Sequence, residues 1–368
     1  MAKSRLHQVS ELGQSVWIDF LSRKLVHGGE LARMLEEDAV VGVTSNPTIF
    51  QKAISEGNVY DNELREALAE EDDPKEVFIR LAVQNVQAAC DLLRPVWDGG
   101  NGQDGYVSIE VDPNLAFDTD GTIAEAQRLH ELVDRPNCFV KIPGTKDGLP
   151  AIEEMIARGR NINVTLIFSL QRYAEVVEAY LRGLERLVEN GGDPTHVASV
   201  ASFFVSRVDT EADKRLDEAG APKELKGKLA VANAKLAYQR YKELFSGERW
   251  EKLAAKGATR QRCLWASTST KNPAYRDVLY VEELIGPETV NTMPEETIEA
   301  FQDHGEVVLT LERDVDEAKR VFEQIAEAGV DYDDVVVTLE QEGVQKFSDS
   351  FSELLDGIEA KRGELVSA

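Results

Sequence analysis

The sequence has 368 residues, of which 42% are hydrophobic and 29% charged, so it can bury a full core without disulfides or metals. Its formal net charge is −26, from 67 acidic and 41 basic residues. Nucleic acids and anionic membranes bind basic patches, so this charge argues against both as partners. An anionic substrate would need basic groups gathered locally at its site.

Cysteine and histidine offer no framework for a disulfide or a metal site. The three cysteines and the five histidines are scattered, without a Cys-x-x-Cys pair or ligand spacing, so we expect neither metal nor organic cofactor. The first twenty residues contain no apolar signal segment, and no apolar run is long enough to span a bilayer. The default expectation is therefore a cytoplasmic protein, and a homo-oligomer is compatible with the sequence.

Short apolar runs rich in strand-forming residues alternate with helical patterns along the chain. The predicted strands are 16–20, 40–44, 106–111, 138–142, 162–168, 197–205, 263–266 and, less distinctly, 289–292. The clearest helical patterns between them are 31–37, 77–93, 122–133 and 171–189. Because almost every strand is apolar throughout, both of its faces should be buried, which favours a single (β/α)8 TIM-barrel domain over 1–368. Residues 313–368 are predicted to add C-terminal helices that pack on the barrel.

An open, doubly wound parallel sheet is the main structural alternative. Such a sheet also buries its strands on both faces. However, no Gly-x-Gly-x-x-Gly motif follows any of the predicted strands, and that motif marks the dinucleotide-binding members of the class. The pattern of eight strand–helix units therefore favours the barrel.

The fourth strand contains a lysine. Residues 138–145 read Cys-Phe-Val-Lys-Ile-Pro-Gly-Thr, so Lys141 lies in an apolar run that ends at a Pro-Gly turn. A charged amine is costly to bury, and proteins seldom bury a lysine unless the amine is paired or used. One hypothesis is a nucleophilic amine that forms a Schiff base with a carbonyl substrate. The other is a strand-end lysine that extends to solvent, and these eight residues alone do not decide between them.

Polar residues also lie at the ends of the other strands, where barrel enzymes carry their chemistry. They are Asp19, Thr44, Ser45, Asn46, Glu110, Asp112, Asn163, Thr165, Ser202, Arg207, Ser267 and Ser269. Taken singly, Asp19 and Asp112 fit helix caps. Asn46 before a proline fits a turn, and Thr165 fits an ordinary strand threonine. The same pattern at seven strands instead indicates that carboxylates and an amine converge at the barrel mouth, as proton transfer around a Schiff base requires.

Taken in order, these motifs resemble those of the transaldolase family. They are Val-Trp-Ile-Asp, Val-Thr-Ser-Asn-Pro-Thr-Ile, Ser-Ile-Glu-Val-Asp-Pro, Val-Lys-Ile-Pro-Gly-Thr, Asn-Ile-Asn-Val-Thr-Leu-Ile-Phe-Ser and Ala-Ser-Phe-Phe-Val-Ser-Arg-Val-Asp. The resemblance covers about residues 16–272, and the longer C-terminal part resembles a bacterial branch. It implies a pentose phosphate pathway enzyme that moves a dihydroxyacetone unit from sedoheptulose 7-phosphate to glyceraldehyde 3-phosphate. The products would be erythrose 4-phosphate and fructose 6-phosphate.

The resemblance also implies roles for individual residues. Lys141 matches the Schiff-base lysine, and Asp19 matches the acid/base that acts when the carbon–carbon bond breaks. Glu110 matches a carboxylate that works through a water, which Thr165 helps to place. The matched substrate contacts are Asn46, Asn163, Ser202, Phe204, Arg207 and Ser267.

One position departs from the family pattern. Many relatives carry an arginine two residues after the serine at position 267, but this chain has Ser269, with Lys271 just beyond. Lys271 either replaces the arginine's charge at the phosphate or is an ordinary loop lysine. Ser269 and Lys271 are therefore candidate phosphate contacts whose roles the resemblance does not decide.

Three other functions compete with this interpretation. A related class I aldolase would release free dihydroxyacetone, but in the resemblance that activity goes with glutamine at the Glu110 position and tyrosine at the Phe204 position. A non-catalytic barrel that binds sugar phosphates is the second alternative, although Lys141, Asp19 and Glu110 are all present. A metal-dependent aldolase would need clustered histidines, which the sequence lacks.

Overall fold

Eight strands form the centre of the molecule in a computed structural model that describes residues 3–55 and 59–365. The strands are β1 (Gln14–Ile18), β2 (Val40–Val43), β3 (Tyr106–Glu110), β4 (Cys138–Pro143), β5 (Ile162–Ile167), β6 (Ser199–Phe204), β7 (Arg262–Ala266) and β8 (Thr289–Met293). Each overlaps one of the eight predicted runs, and the bounds differ from the prediction by one or two residues. The less distinct run at 289–292 is a complete strand.

Helices connect successive strands and surround them. They are α1 (Arg5–Glu11), α2 (Arg23–His27), α3 (Glu30–Glu37), α4 (Pro47–Ser55), α5 (Asp61–Glu70), α6 (Pro74–Gly99), α7 (Thr119–Val133), α8 (Gly148–Ala157), α9 (Leu170–Glu189), α10 (Ser206–Glu218), α11 (Leu229–Leu244), α12 (Gly247–Ala254), α13 (Leu279–Glu283), α14 (Glu295–His304), α15 (Val315–Glu327) and α16 (Tyr332–Leu365). Short 3-10 helices lie at Pro113–Leu115 and Lys223–Leu225.

The strands pair in parallel and in chain order, and β8 pairs with β1 to close the barrel. This confirms the predicted (β/α)8 TIM barrel and excludes the open sheet. The four to six residues of each strand are almost all buried, as a parallel sheet covered by helices requires. No helix within 3–55 and 59–365 is both long and apolar enough to cross a membrane.

Close packing at one glycine fixes the first two strands of the barrel. Gly42 in β2 lies against the indole ring of Trp17 in β1, so closely that a Cβ atom on residue 42 would overlap the ring. Trp17 is fully buried and also packs near the rings of Tyr106 and Phe139. A glycine is therefore needed at position 42 because the tryptophan occupies the space of a side chain.

The predicted C-terminal helices are present as α15 and α16. Helix α16 packs against α4, α10 and β5, which brings it to the end of the barrel where the strands terminate. The Thr48 hydroxyl in α4 donates to the Ser350 hydroxyl at 2.8 Å. Gly343 lies against the side chains of Leu166 and Phe168, where its lack of a side chain permits close approach. The helix is thus held directly over the end of β5.

Candidate active site

Strand register places three of the predicted residues side by side. Glu110 in β3 is the register partner of Lys141 in β4, and Lys141 is the partner of Asn163 in β5. Neighbouring residues in parallel register project to the same side of a sheet, so a lysine, a carboxylate and an amide share one level of the barrel. The sequence predicted these residues separately, and the barrel brings them together.

The Lys141 amine is buried and makes two hydrogen bonds. Nζ donates to the Ser45 carbonyl oxygen at 2.8 Å and to Glu110 Oε2 at 3.0 Å. The side chains of Lys141 and Glu110 are only 6% and 4% exposed. The alternative of a lysine that extends to solvent is therefore wrong. The burial cost of the charge is offset by a carboxylate partner.

Asp19 lies just beyond the end of β1 and lines the same cavity as Lys141. Its Oδ1 accepts a hydrogen bond from the Thr44 hydroxyl at 2.7 Å, whereas helix α2, the next helix, is capped by Ser22. The capping alternative therefore does not describe Asp19. Burial raises the pKa of Asp19, and the Lys141 charge and the Thr44 hydrogen bond oppose that rise.

Burial likewise raises the pKa of Glu110, against the opposing charge of Lys141. Burial thus raises the pKa of two carboxyls, of which one is paired with the Lys141 amine and the other lines the same cavity, and this suits proton transfer. Glu110 Oε1 and Thr165 Oγ1 are buried oxygens without a hydrogen-bond partner among the described residues. Both could bind a water molecule, because buried polar groups are normally satisfied.

The structure confirms the capping alternative for Asp112 and shows that Asn46 has both a local and a cavity contact. Asp112 is a cap: its side chain accepts from the Asn114 N–H at 2.9 Å, and it pairs with Lys75 at 2.8 Å. Asn46 forms a local hydrogen bond, in which its Oδ1 accepts from the Ile49 N–H in α4, and it also lines the cavity. Asp112 therefore has a structural role, and Asn46 remains a candidate substrate contact.

Asn163 lies behind the cavity surface. It is fully buried and does not line the cavity that Lys141 and Ser202 line. Its Oδ1 accepts from the Ser202 hydroxyl at 2.7 Å, and its Nδ2 donates to Ser108 Oγ at 3.2 Å. In this structure Asn163 therefore orients Ser202 and does not face the cavity.

The cavity has a volume of about 430 Å³ and opens at the carboxyl ends of the strands. Twelve residues were predicted as catalytic or substrate-binding, and ten of them line this cavity: Asp19, Asn46, Lys141, Thr165, Ser202, Phe204, Arg207, Ser267, Ser269 and Lys271. Glu110 reaches it through contact with Lys141, and Asn163 through contact with Ser202. The predicted set therefore forms one site.

One wall of the cavity is basic and hydroxylic. The Arg207 guanidinium carbon lies 5.1 Å from the Phe204 ring centre, an arrangement that leaves the planar edge of the guanidinium for an anion. Ser267 has a left-handed backbone with φ of 56°, and its hydroxyl lies 2.8 Å from that of Ser206. Lys271 Nζ donates to Ser269 Oγ at 2.7 Å. A left-handed backbone at a serine that lines a cavity is typical of functional sites.

Several cavity residues were not predicted from the sequence. The long helix α16 contributes Lys346 and Phe347, and α4 contributes Lys52. The Phe347 ring centre lies 5.9 Å from Lys141 Nζ and 5.8 Å from the Arg207 guanidinium carbon. Nothing in the local sequence of a helix shows that it crosses the barrel mouth, so only the packing of α16 reveals these residues.

A second cavity, of about 550 Å³, lies at the opposite end of the barrel. Its lining includes residues at the starts of β3, β4, β6 and β7, with Tyr241 and Trp250 from the outer helices. None of the predicted site residues lines it. In this fold, catalytic groups lie at the carboxyl ends of the strands, so the first cavity is the candidate active site.

Comparisons with known proteins agree with this geometry. A family model described as transaldolase/fructose-6-phosphate aldolase matches residues 16–358. A protein of Frankia alni named transaldolase is 52% identical over 361 residues, covering 97% of each chain. A transaldolase 2 of Streptomyces avermitilis is 51% identical over 98% of each chain, and a transaldolase of Mycolicibacterium paratuberculosis is 51% identical over 97% of each. These similarities span both the barrel and helix α16.

Proposed function

The chain belongs to the transaldolase/fructose-6-phosphate aldolase family, and we propose that it is a transaldolase of the pentose phosphate pathway. The reaction transfers a dihydroxyacetone unit from sedoheptulose 7-phosphate to glyceraldehyde 3-phosphate, and erythrose 4-phosphate and fructose 6-phosphate are formed. The observation that supports this most strongly is the buried Lys141 amine, held 3.0 Å from the Glu110 carboxylate in the cavity that Asp19 lines.

The first step of the proposal is Schiff-base formation. Glu110 Oε2 is placed to accept a proton from the Lys141 ammonium, which leaves a lone pair on Nζ to attack the donor ketone at C2. Loss of the C2 oxygen as water then requires a proton donor. Glu110, whose pKa is raised by burial, can return that proton through a water held beside Thr165 Oγ1.

The second step breaks the bond between C3 and C4 of the donor. The electron pair of that bond forms a C2=C3 double bond while the C2=N π pair moves to the protonated imine nitrogen, which gives an enamine. The C4 hydroxyl loses its proton, and C4 becomes the carbonyl carbon of the aldehyde that departs. Asp19 lines the cavity with Lys141 and is the proposed base for that proton. In the reverse direction the enamine attacks the acceptor aldehyde and Asp19 returns the proton, so one carboxyl serves both half-reactions.

The third element is phosphate binding on a strongly acidic protein. With a net charge of −26, the surface repels a phosphosugar, so the cavity needs local cations. Arg207 can bind a phosphate through two parallel hydrogen bonds, and Ser267 can donate a third. Both residues line the cavity on the side away from β3.

The related aldolase activity, which releases free dihydroxyacetone, is the second candidate. In the family resemblance it goes with glutamine and tyrosine where this chain has Glu110 and Phe204. Glu110 pairs with Lys141, and Phe204 lies against Arg207. Both residues therefore favour transfer over release. The non-catalytic binding barrel does not account for a buried amine that is paired with Glu110 in a cavity that Asp19 also lines.

A coupled assay separates these activities. Fructose 6-phosphate is supplied with and without erythrose 4-phosphate, and the release of glyceraldehyde 3-phosphate is followed. A transaldolase needs the acceptor for sustained turnover, because the enamine otherwise remains on the enzyme. Equal turnover without an acceptor would identify the aldolase, and no turnover in either case would support a binding protein.

Borohydride trapping tests the lysine itself. Reduction in the presence of fructose 6-phosphate should inactivate the enzyme and leave a three-carbon adduct on the peptide that contains Lys141. Lys141→Met should abolish both the adduct and the activity. Lys235→Met is a matched control, since Lys235 is also buried and paired with a glutamate, at 3.0 Å, but does not line the cavity. Activity that survives Lys141→Met would refute the proposed mechanism.

The same proposal places the enzyme in the cytoplasm, where phosphosugars are available. Phosphosugars are the proposed partners, and neither nucleic acid nor a membrane is expected because of the acidic charge. Size-exclusion chromatography with light scattering would establish whether the protein is a homo-oligomer.

A further inference from the structure

Besides Lys141, four basic side chains line the candidate active site and form what we call the cation group: Lys52, Arg207, Lys271 and Lys346. Most arginines and lysines elsewhere in the molecule pair with carboxylates. Within residues 3–55 and 59–365, none of these four has a carboxylate oxygen within 4.0 Å. On a chain with 67 acidic residues, four unpaired cations around one cavity indicate a site for an anion that the protein itself does not supply.

The members of the cation group repel one another. The positive charge of Arg207 lowers the pKa of Lys346, and burial and the charges of Lys271 and Lys52 add to the effect. Glu296 also lines the cavity, and Asp19, Glu110 and Glu342 act on Arg207 from a distance. A bound phosphate dianion would relieve the repulsion, because it places negative charge among the four cations.

Helix α16 fixes Lys346 at the cavity. The next residue, Phe347, is buried and its ring lies 5.8 Å from the Arg207 guanidinium carbon. One turn earlier, Gly343 packs against Leu166 and Phe168, and one turn later Ser350 accepts from Thr48. Lys346 is therefore presented by a helix that is anchored on both sides of it.

Lys271 is less well directed to a ligand. It lies in the loop after β7 and donates its hydrogen bond to Ser269 Oγ at 2.7 Å. Ser269 occupies the position at which many family members have an arginine. That position thus lacks a charge in this chain, and the candidates for a replacement charge are Lys271 in the loop after β7 and Lys346 in α16.

We propose that Lys346 of helix α16 binds the substrate phosphate together with Arg207 and replaces the arginine that is missing at position 269. This inference rests on the proposed function and identifies a specificity residue of the same site. It assigns a binding role to a helix that lies outside the eight strand–helix units of the barrel.

The test compares phosphate affinity with phosphate-independent chemistry in the full-length enzyme. Lys346→Met keeps the length of the side chain and removes its charge. We expect the KM for fructose 6-phosphate and the inhibition constant for inorganic phosphate each to rise about tenfold or more, as loss of a charge-assisted hydrogen bond predicts. Borohydride trapping of unphosphorylated dihydroxyacetone should be unchanged. Lys319→Met, at an exposed lysine in the interior of α15, is the control and should alter none of these values.

A rescue experiment separates phosphate binding from a structural role. Ser269→Arg in the Lys346→Met enzyme should restore most of the lost affinity for both phosphate compounds, and Lys346→Arg should retain it. Unchanged phosphate affinity in Lys346→Met, or an equal loss with dihydroxyacetone, would overturn the proposal. So would a full effect from Lys271→Met alone. If the unaltered protein does not turn over fructose 6-phosphate, the proposed function fails, while calorimetry with inorganic phosphate still tests Lys346.

Discussion

Asp209 provides a quantitative test of how burial controls ionisation in this barrel. It lies in the first turn of α10, two residues after Arg207, and is 1% exposed. Its Oδ1 accepts from the Ala230 N–H at 2.7 Å, and its Oδ2 accepts from the Tyr280 hydroxyl at 2.8 Å. Burial is the largest influence and raises the pKa of Asp209 to about 7.

The sign of the effect follows from proton binding. An unfolded aspartate has a pKa of about 3.9, so between about pH 4 and pH 7 the folded state binds more protons than the unfolded state. The free energy of unfolding must therefore fall as pH rises through that interval. Each pKa unit corresponds to about 1.4 kcal/mol, so ionised Asp209 costs the folded state about 4 kcal/mol above pH 7, of which about 2.5 kcal/mol develops between pH 5 and pH 8.

Asp209→Asn removes the titration while retaining groups that can satisfy both hydrogen bonds. We expect the unfolding free energy of the unaltered protein to fall by about 2.5 kcal/mol more than that of the variant between pH 5 and pH 8. Urea unfolding at both pH values measures this difference, and other titrating groups cancel in the comparison. Asp217→Asn on the exposed side of α10, at a carboxylate that is 65% exposed, is the control. An identical pH dependence in Asp209→Asn and the unaltered protein would refute the argument.

Two further predictions concern the first two strands. Thr44→Val removes the hydrogen bond that favours ionised Asp19, so the acid limb of the kcat/KM profile should move to higher pH by about one unit. Thr44→Ser keeps the hydroxyl and should leave the acid limb unchanged. An unchanged acid limb in the valine variant would count against Asp19 as the base. Gly42→Ala places a methyl group against the Trp17 ring and should lower the free energy of unfolding by about 1–3 kcal/mol in urea. Gly99→Ala, which meets no atom within 4 Å, should be nearly neutral, and equal stability of the two alanine variants would contradict the packing argument.

The sequence predicted the barrel because apolar runs recur at regular intervals and each run must be buried on both faces. It could not fix strand ends, since local composition does not show where inter-strand pairing stops. The run at 197–205, for example, pairs only from Ser199 to Phe204. Strand register is also a property of the assembled sheet, and it places Asn163 behind Ser202 and away from the cavity surface.

The candidate site was predicted where its residues follow strands and was missed where they do not. The strand ends of a closed parallel barrel all meet at one mouth, so the sequence alone allows Asp19, Glu110 and Lys141 to be grouped. Lys346 and Phe347 lie within a helix of 34 residues whose path over the barrel depends on tertiary packing. An amphipathic pattern indicates that a helix packs somewhere, but it does not identify the surface on which it packs.

Helix α16 follows all eight strands of the barrel in the chain, so it is synthesised after them. Strand β1 finds its second neighbour in β8, which ends at Met293, whereas α16 begins at Tyr332. During synthesis the eight strands are therefore all made before Lys346 and Phe347, which line the mouth of the same cavity. The mouth of the cavity is thus completed by residues that follow the barrel in the chain. Because α16 also buries apolar residues such as Leu354 and Ile358, a displaced α16 would open the mouth of the cavity and lower the stability of the whole molecule together.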